Sequence, residues 1–248
     1  MNDLGDFGAA LASHPLVASG WAQKLCYYVN SSPCDPADPE FGRLTSLFES
    51  SNYSWSALVK AVVTSPIVTN ATETQTARTN GEVVAVSRRD HMGAALDARL
   101  GFSDLCGLNA LGGKKPSTGA VAQIVSGLPS DAYGRGSVAP VLPNDPTLFF
   151  RAGTENICES VAAQVVDPAS STAGAKQWSS AEPDPATADF VATVMGLTPS
   201  DPRYAPALGL LRDHFASAMR QPGMSATSAL RSTFVVACLA PSAVSIGL

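Results

Sequence analysis

A chain of 248 residues with 45% hydrophobic and 15% charged side chains is long and apolar enough to bury a sizeable core, which excludes intrinsic disorder. Its net charge of -5, with no run of Lys or Arg, argues against nucleic acid or an anionic membrane as the main partner, because both demand clustered cations. No stretch approaches the roughly 18 consecutive apolar residues that a membrane span needs.

Residues 4–12 read as a short lead-in. A helix begins at Pro15 behind Ser13 and His14, with Val17, Trp21, Leu25 and Tyr28 as its apolar row, and Asn30 to Pro33 stop it. Asp38 is placed to cap the next helix with Pro39 at the first helical position, and Phe41, Leu44, Leu47 and Phe48 share one face. Ser54 starts another, with Trp55, Leu58, Val59, Val62 and Val63 at helical spacing, and Pro66 ends it. Residues 67–82, rich in Thr and Asn, read as a linker.

The stretch Ser87-Arg88-Arg89-Asp90 resembles a capping box, with Leu96 and Leu100 facing inward and Gly101 closing the helix. Thr118 to Ser126 is a shorter helical candidate, and Leu128 to Asn144 is loop. Asp145-Pro146 opens the longest periodic stretch, in which Phe149, Gly153, Ile157, Val161 and Val165 stand four apart. Asp167 to Pro183 is a Ser/Ala/Pro-rich loop. Asp184-Pro185 opens a helix with Phe190, Val191, Val194 and Met195, closed by Gly196. Leu208, Leu211, Phe215 and Met219 stripe the next, and Leu230, Phe234 and Cys238 the last.

These patterns predict an all-α fold of helical bundles: residues 1–70 as a three-helix unit, 71–182 as central helices and long loops, and 183–248 as a second three-helix unit resembling the first. The likeness rests on Asp201-Pro202-Arg203-Tyr204 against Asp38-Pro39-Glu40-Phe41, and on Ser228-Ala229-Leu230 against Ser56-Ala57-Leu58. Either the chain is internally duplicated or both ends use common helix vocabulary. The brief Val83–Val86 and Val138–Leu142 stretches have strand composition and no evident partner.

Five cysteines form no C-x-x-C pair, so neither a zinc ribbon nor a c-type haem attachment is present. Cys26 and Cys34 flank a turn able to bring them within bridging distance. We expect Cys26 with Cys34 and Cys158 with Cys238, leaving Cys106 free, although spacing alone does not deduce the pairing and all five also suit a buried apolar role. Disulfides and scarce Lys favour an oxidising, periplasmic or extracellular setting. The opening M-N-D-L-G-D-F-G has no signal-peptide pattern, so an exported chain is expected to be a piece of something longer.

Chemistry-bearing motifs are sparse. Gly134-Arg135-Gly136-Ser137-Val138-Ala139 satisfies G-x-G-x-x-A without a preceding strand, and there is no G-x-S-x-G, H-E-x-x-H or P-loop. Asp38, Asp145, Asp184 and Asp201 all precede prolines, where capping explains them. We assign no catalytic residue and no metal ligand. The binding candidates are Tyr133 and Arg135, standing among glycines in a loop, and His214 on the edge of an apolar stripe.

Trp21 to Val29 (W-A-Q-K-L-C-Y-Y-V), Cys34 to Phe41 (C-D-P-A-D-P-E-F), Leu47 to Ser54 (L-F-E-S-S-N-Y-S) and Ser56 to Pro66 (S-A-L-V-K-A-V-V-T-S-P) follow one another in an order of some specificity. With them, residues 4–70 resemble the carboxy-terminal helical domain of unknown function of large exported planctomycete and myxobacterial proteins, which often also contain cytochrome c-like haem domains. Val86 to Gly101 and Ala229 to Pro241 are similar to other pieces of such proteins. The resemblance implies export and a redox association, and supplies no catalytic residue. The expected function is that of a non-catalytic helical module docking a partner chain or haem domain, with no cofactor of its own and haem in the partner. The alternatives are an exported enzyme with a site between helical units, and a structural or surface-assembly subunit.

Overall fold

The computed structural model describes residues 3–30, 32–69, 74–80, 85–106 and 148–246. Among these, regular structure comprises twelve α-helices, one five-residue π-helical segment and a two-residue ladder of β1 (Ala85–Val86) with β2 (Ser245–Ile246). The fold is all-α, as the periodicity predicts. Val86 does find a strand partner, in a segment whose Ser-Ile composition gave no hint of one. Tyr133, Arg135, the G-x-G-x-x-A stretch, Val138–Leu142, the Thr118–Ser126 candidate and Asp145-Pro146 lie outside the described residues.

The chain divides into two compact units, the first holding the described helices up to residue 80 and the second those from residue 89 onward. In the first, the expected lead-in is helical: α1 (Leu4–Ala12) starts because the Asp3 carboxylate accepts the Asp6 N–H at 2.8 Å, satisfying a donor the first turn leaves open. His14 behaves as a helix-entry residue, its Nδ1 accepting the Leu16 N–H at 3.2 Å ahead of α2 (Val17–Asn30).

Helix α2 buries Ala18, Ala22, Leu25 and Cys26, whereas Trp21 and Tyr28, expected to face inward, are exposed. Two competing stripes differ by one position. The small Ala18/Ala22 pair allows close approach to its neighbours, which an indole in that place would prevent. The Cys26–Cys34 disulfide, with Cα atoms 5.7 Å apart, and a 2.8 Å bond from Gln23 Nε2 to the Cys34 carbonyl hold the exit turn against the same face.

Helix α3 (Pro39–Ser50) is capped as the sequence predicts: Asp38 accepts the Glu40 N–H at 2.8 Å with Pro39 in the first turn, and Phe41, Leu44 and Phe48 are buried. Helix α4 (Trp55–Val63) buries Leu58, Ala61 and Val62, so its inward face is narrower than expected and leaves Trp55 and Val63 exposed. Helices α2, α3 and α4 pack pairwise on one another around Leu44, Leu58 and Val62, each worth about 1.5–3 kcal/mol of burial. Pro66, having stopped α4, opens α5 (Pro66–Thr69), and α6 (Gln75–Asn80) lies within the expected linker.

In the second unit α7 (Arg89–Leu100) begins one residue later than the capping-box reading places it. Arg88 holds the N-cap position without a side-chain bond and Ser87 is buried outside, its N–H donating to the Val244 carbonyl at 2.7 Å. The predicted stop is observed: Gly101 is left-handed (φ 76°), and a Cβ there would strike the Gly174 carbonyl.

Helix α8 (Leu148–Val165) carries the predicted buried line Ile157, Val161 and Val165. Helix α9 (Pro183–Asp189) opens at Glu182-Pro183, a dipeptide before the expected Asp184-Pro185. It runs into the π segment Phe190–Val194, where the Met195 N–H reaches back to the Phe190 carbonyl at 3.0 Å.

Helices α10 (Tyr204–Met219) and α11 (Ala226–Cys238) complete the packing, followed by α12 (Pro241–Val244). Asp201 accepts the Arg203 N–H at 2.8 Å, the same two-residue device as Asp38 with Glu40. It sits in a turn before α10, whose N-cap is Arg203. Leu211 is buried and Leu208 and Phe215 are half-buried, while Met219, expected on the same inward stripe, is exposed.

One core spans Met92 to Cys238, so α7 and α8 share it with α10 and α11. At its centre Trp178, Phe190 and Phe234 pack edge-to-face and tilted with centroids 5.0–5.9 Å apart. The Cys158–Cys238 disulfide, Cα atoms 5.8 Å apart, ties α8 to α11, and Cys106 is free and buried.

Candidate binding site: an aromatic cleft in the first unit

The end of α3 is a Schellman turn. Asn52 donates its N–H to the Glu49 carbonyl at 3.0 Å and Tyr53 to the Phe48 carbonyl at 2.9 Å, satisfying carbonyls the helix leaves open. This geometry requires left-handed backbone at Asn52, which has φ 54°, and Tyr53 after it is left-handed too, at φ 57°. Asn tolerates the region; Tyr does so at a cost of about 1–2 kcal/mol. The contact that accompanies the motif is aromatic: the Phe48 and Tyr53 rings meet at 5.3 Å and 85°.

Tyr53 is thereby turned toward a cleft of about 520 Å³ lined by Leu11, Val17, Trp21, Phe48, Tyr53 and Trp55. Ser54 starts α4 one residue later and places Trp55 at its first position. The Trp55 ring stands 5.6 Å from that of Trp21 at 76°. Two perpendicular ring pairs therefore wall one cleft, with aliphatic contact from α1 and the start of α2. Trp21, Tyr53 and Trp55 remain 46%, 40% and 49% exposed. Lys24, one turn along α2, holds its Nζ 5.0 Å from the Trp21 centroid. Beyond α1's part in the cleft, Leu4 and Phe7 are also exposed. This apolar surface makes the cleft the candidate interaction site among the described residues.

Of the sequence candidates, His214 lies in the second unit, its Nε2 2.9 Å from the Ser232 hydroxyl, linking α10 to α11. A serine nucleophile needs its base oriented by a third group, and among the described residues no carboxylate bonds to the His214 ring. His91, whose Arg89-Asp90-His91 setting matches Arg212-Asp213-His214, is half-buried. Burial first, then the neighbouring Arg88 and Arg99 charges, lowers its pKa, and its buried Nδ1 lacks a partner.

Two further carboxylates of the second unit tie elements together. Asp189 accepts from Trp178 Nε1 at 2.8 Å and pairs with Lys176 Nζ at 3.1 Å. Asp167, itself left-handed at φ 43°, accepts from the Thr227 hydroxyl at 2.7 Å and the Ser180 N–H at 3.2 Å. No group of three or more metal-ligating side chains occurs among the described residues, and none of their helices is long and apolar enough to cross a membrane.

The cleft's aromatic residues escaped the sequence reading because Trp21 and Trp55 fit an inward stripe as well as an outward one. The signal that distinguishes them is the parallel Ala18/Ala22/Leu25/Cys26 stripe, which satisfies the same spacing with smaller groups. Comparisons with protein-family models, curated proteins and solved structures return no significant match.

Proposed function

We propose that this chain is a non-catalytic helical module of an exported, redox-associated bacterial protein, and that it docks a partner chain or haem domain through the aromatic cleft of its first unit. The single observation carrying the docking role is the pair of half-exposed tryptophans, Trp21 and Trp55, held edge to face over an apolar cleft. Large rings left in water by a fold that has other apolar groups to spare have their best use in an interface, where Trp and Tyr anchor recognition. Two disulfides, one in each unit, support an oxidising compartment. The redox association follows from the resemblance of residues 4–70, with the haem carried by the partner.

The test is the optical spectrum of the native material. A Soret band that travels with the chain, and is lost in a Trp21→Ala/Trp55→Ala variant with unchanged far-UV circular dichroism, is the expected result. A colourless, partner-free monomer from the native source overturns the reading.

A further inference from the structure

We infer that the cleft recognises a cation: it takes the ammonium head of a lysine side chain from a basic segment of the partner, held by cation–π contact with Trp21 and Trp55. This rests on the docking role proposed above and names its chemistry. The lining offers four aromatic rings and two aliphatic side chains, with no carboxylate or amide among them. A ligand can therefore be selected there by apolar contact and by the negative faces of the rings, and an alkylammonium group uses both. Trp is the best of the aromatic partners for a cation, and two of the chain's three stand here.

Charge points the same way. Over residues 1–85 eight carboxylates stand against four cations, and one of the four, Arg43, is tied to Glu40 at 2.6 Å. The first unit thus presents a net negative field to an approaching basic segment, while the cleft supplies the short-range contact. The Trp21 ring already carries an ammonium, that of Lys24 at 5.0 Å from its centroid, which an incoming lysine must displace from the ring.

The experiment uses the full chain with ¹⁵N-labelled indoles, whose three Nε1–H signals include Trp178 of the second unit as an internal reference. Choline is titrated against 3,3-dimethyl-1-butanol, its uncharged carbon isostere, and a lysine-containing peptide against its norleucine counterpart. The expected result is that choline and the lysine peptide shift Trp21 and Trp55 but not Trp178, each binding about 3- to 30-fold more tightly than its neutral partner. Trp55→Leu should lower choline affinity by a larger factor than it lowers that of the isostere.

Equal or tighter binding of the neutral probes overturns the proposal and makes the cleft a purely apolar one. Absence of any shift at Trp21 and Trp55 overturns it as well. Either failure, alongside a Soret band that still travels with the wild-type chain and is lost in the double tryptophan variant, would remove the cation chemistry and leave the docking role intact.

Discussion

The Arg99 guanidinium donates to the Val194 carbonyl at 2.8 Å, at the end of the π segment that follows α9. A π turn disturbs the usual i to i+4 ladder, and a carbonyl displaced from it needs another donor. Arg99 reaches it from α7, so an irregularity in one helix is stabilised by a side chain from another. Arg99→Met, which keeps the stem and removes the donors, should lower stability by about 1.5–3 kcal/mol. Chemical denaturation followed by tryptophan fluorescence checks this, and a loss below 0.5 kcal/mol, roughly the floor for a single hydrogen bond, would show the bond to be idle.

The Schellman turn gives a prediction of opposite sign. Asn52→Gly at φ 54° relieves left-handed strain without removing a packed side chain, and should raise stability by a few tenths to about 1 kcal/mol. Asn52→Val places a β-branched residue in the same backbone and should destabilise by about 1–2 kcal/mol. It should also alter Trp55 fluorescence, because the turn sets where α4 begins. Paired thermal melts decide between these outcomes.

The two disulfides should contribute unequally. Cys158 and Cys238 are 80 residues apart in sequence, and on the chain-entropy model closing such a loop stabilises by about 4.5 kcal/mol, against about 2.5 kcal/mol for the eight-residue separation of Cys26 and Cys34. Calorimetry of the Cys158→Ala/Cys238→Ala and Cys26→Ala/Cys34→Ala variants should show the larger drop in the first.

Thiol titration supplies a companion measurement. Burial, with Asp97 and Asp104 nearby, pushes the Cys106 thiol up to about 12, so the native protein should react with no thiol reagent and the unreduced, unfolded chain with one equivalent.

Acid stability should depend on Asp167. The Ser180 and Thr227 hydroxyls lead the groups that hold its carboxyl below the ordinary carboxylate range. A carboxylate with a depressed folded pKa adds stability that is present above its unfolded value near 3.9 and disappears as pH falls through the lower folded one. Asp167→Asn should therefore cost on the order of 1 kcal/mol at pH 7 and progressively less below about pH 4. Urea midpoints measured across that window should converge for the two proteins; a constant gap would show that the charge is irrelevant.

Much of the helical layout was legible because local devices act locally. Asp38-Pro39 caps and starts α3, Gly101 stops α7, and the four-residue spacing of Ile157, Val161 and Val165 marks a buried line, all through contacts within a turn or two. The capping reading of Ser87 failed because tertiary packing drew that residue inward and moved the helix start by one position. The site was hardly legible at all. His214 bonds Ser232, while Trp21 and Trp55, whose spacing predicts an inward face, line the cleft with Tyr53.

By itself the sequence determined that this protein is helical and where most helices run, since propensity, capping and turn chemistry are properties of short segments, whereas the pairing of Cys158 with Cys238 across 80 residues came from the packing. Only tertiary structure decided which of two neighbouring stripes each helix buries. Rotating a helix by one position leaves its periodicity unchanged but exchanges alanines for tryptophans at the surface. That choice, made by the volume left between packed helices, turned two apolar rings out of the core and into the wall of an open cleft.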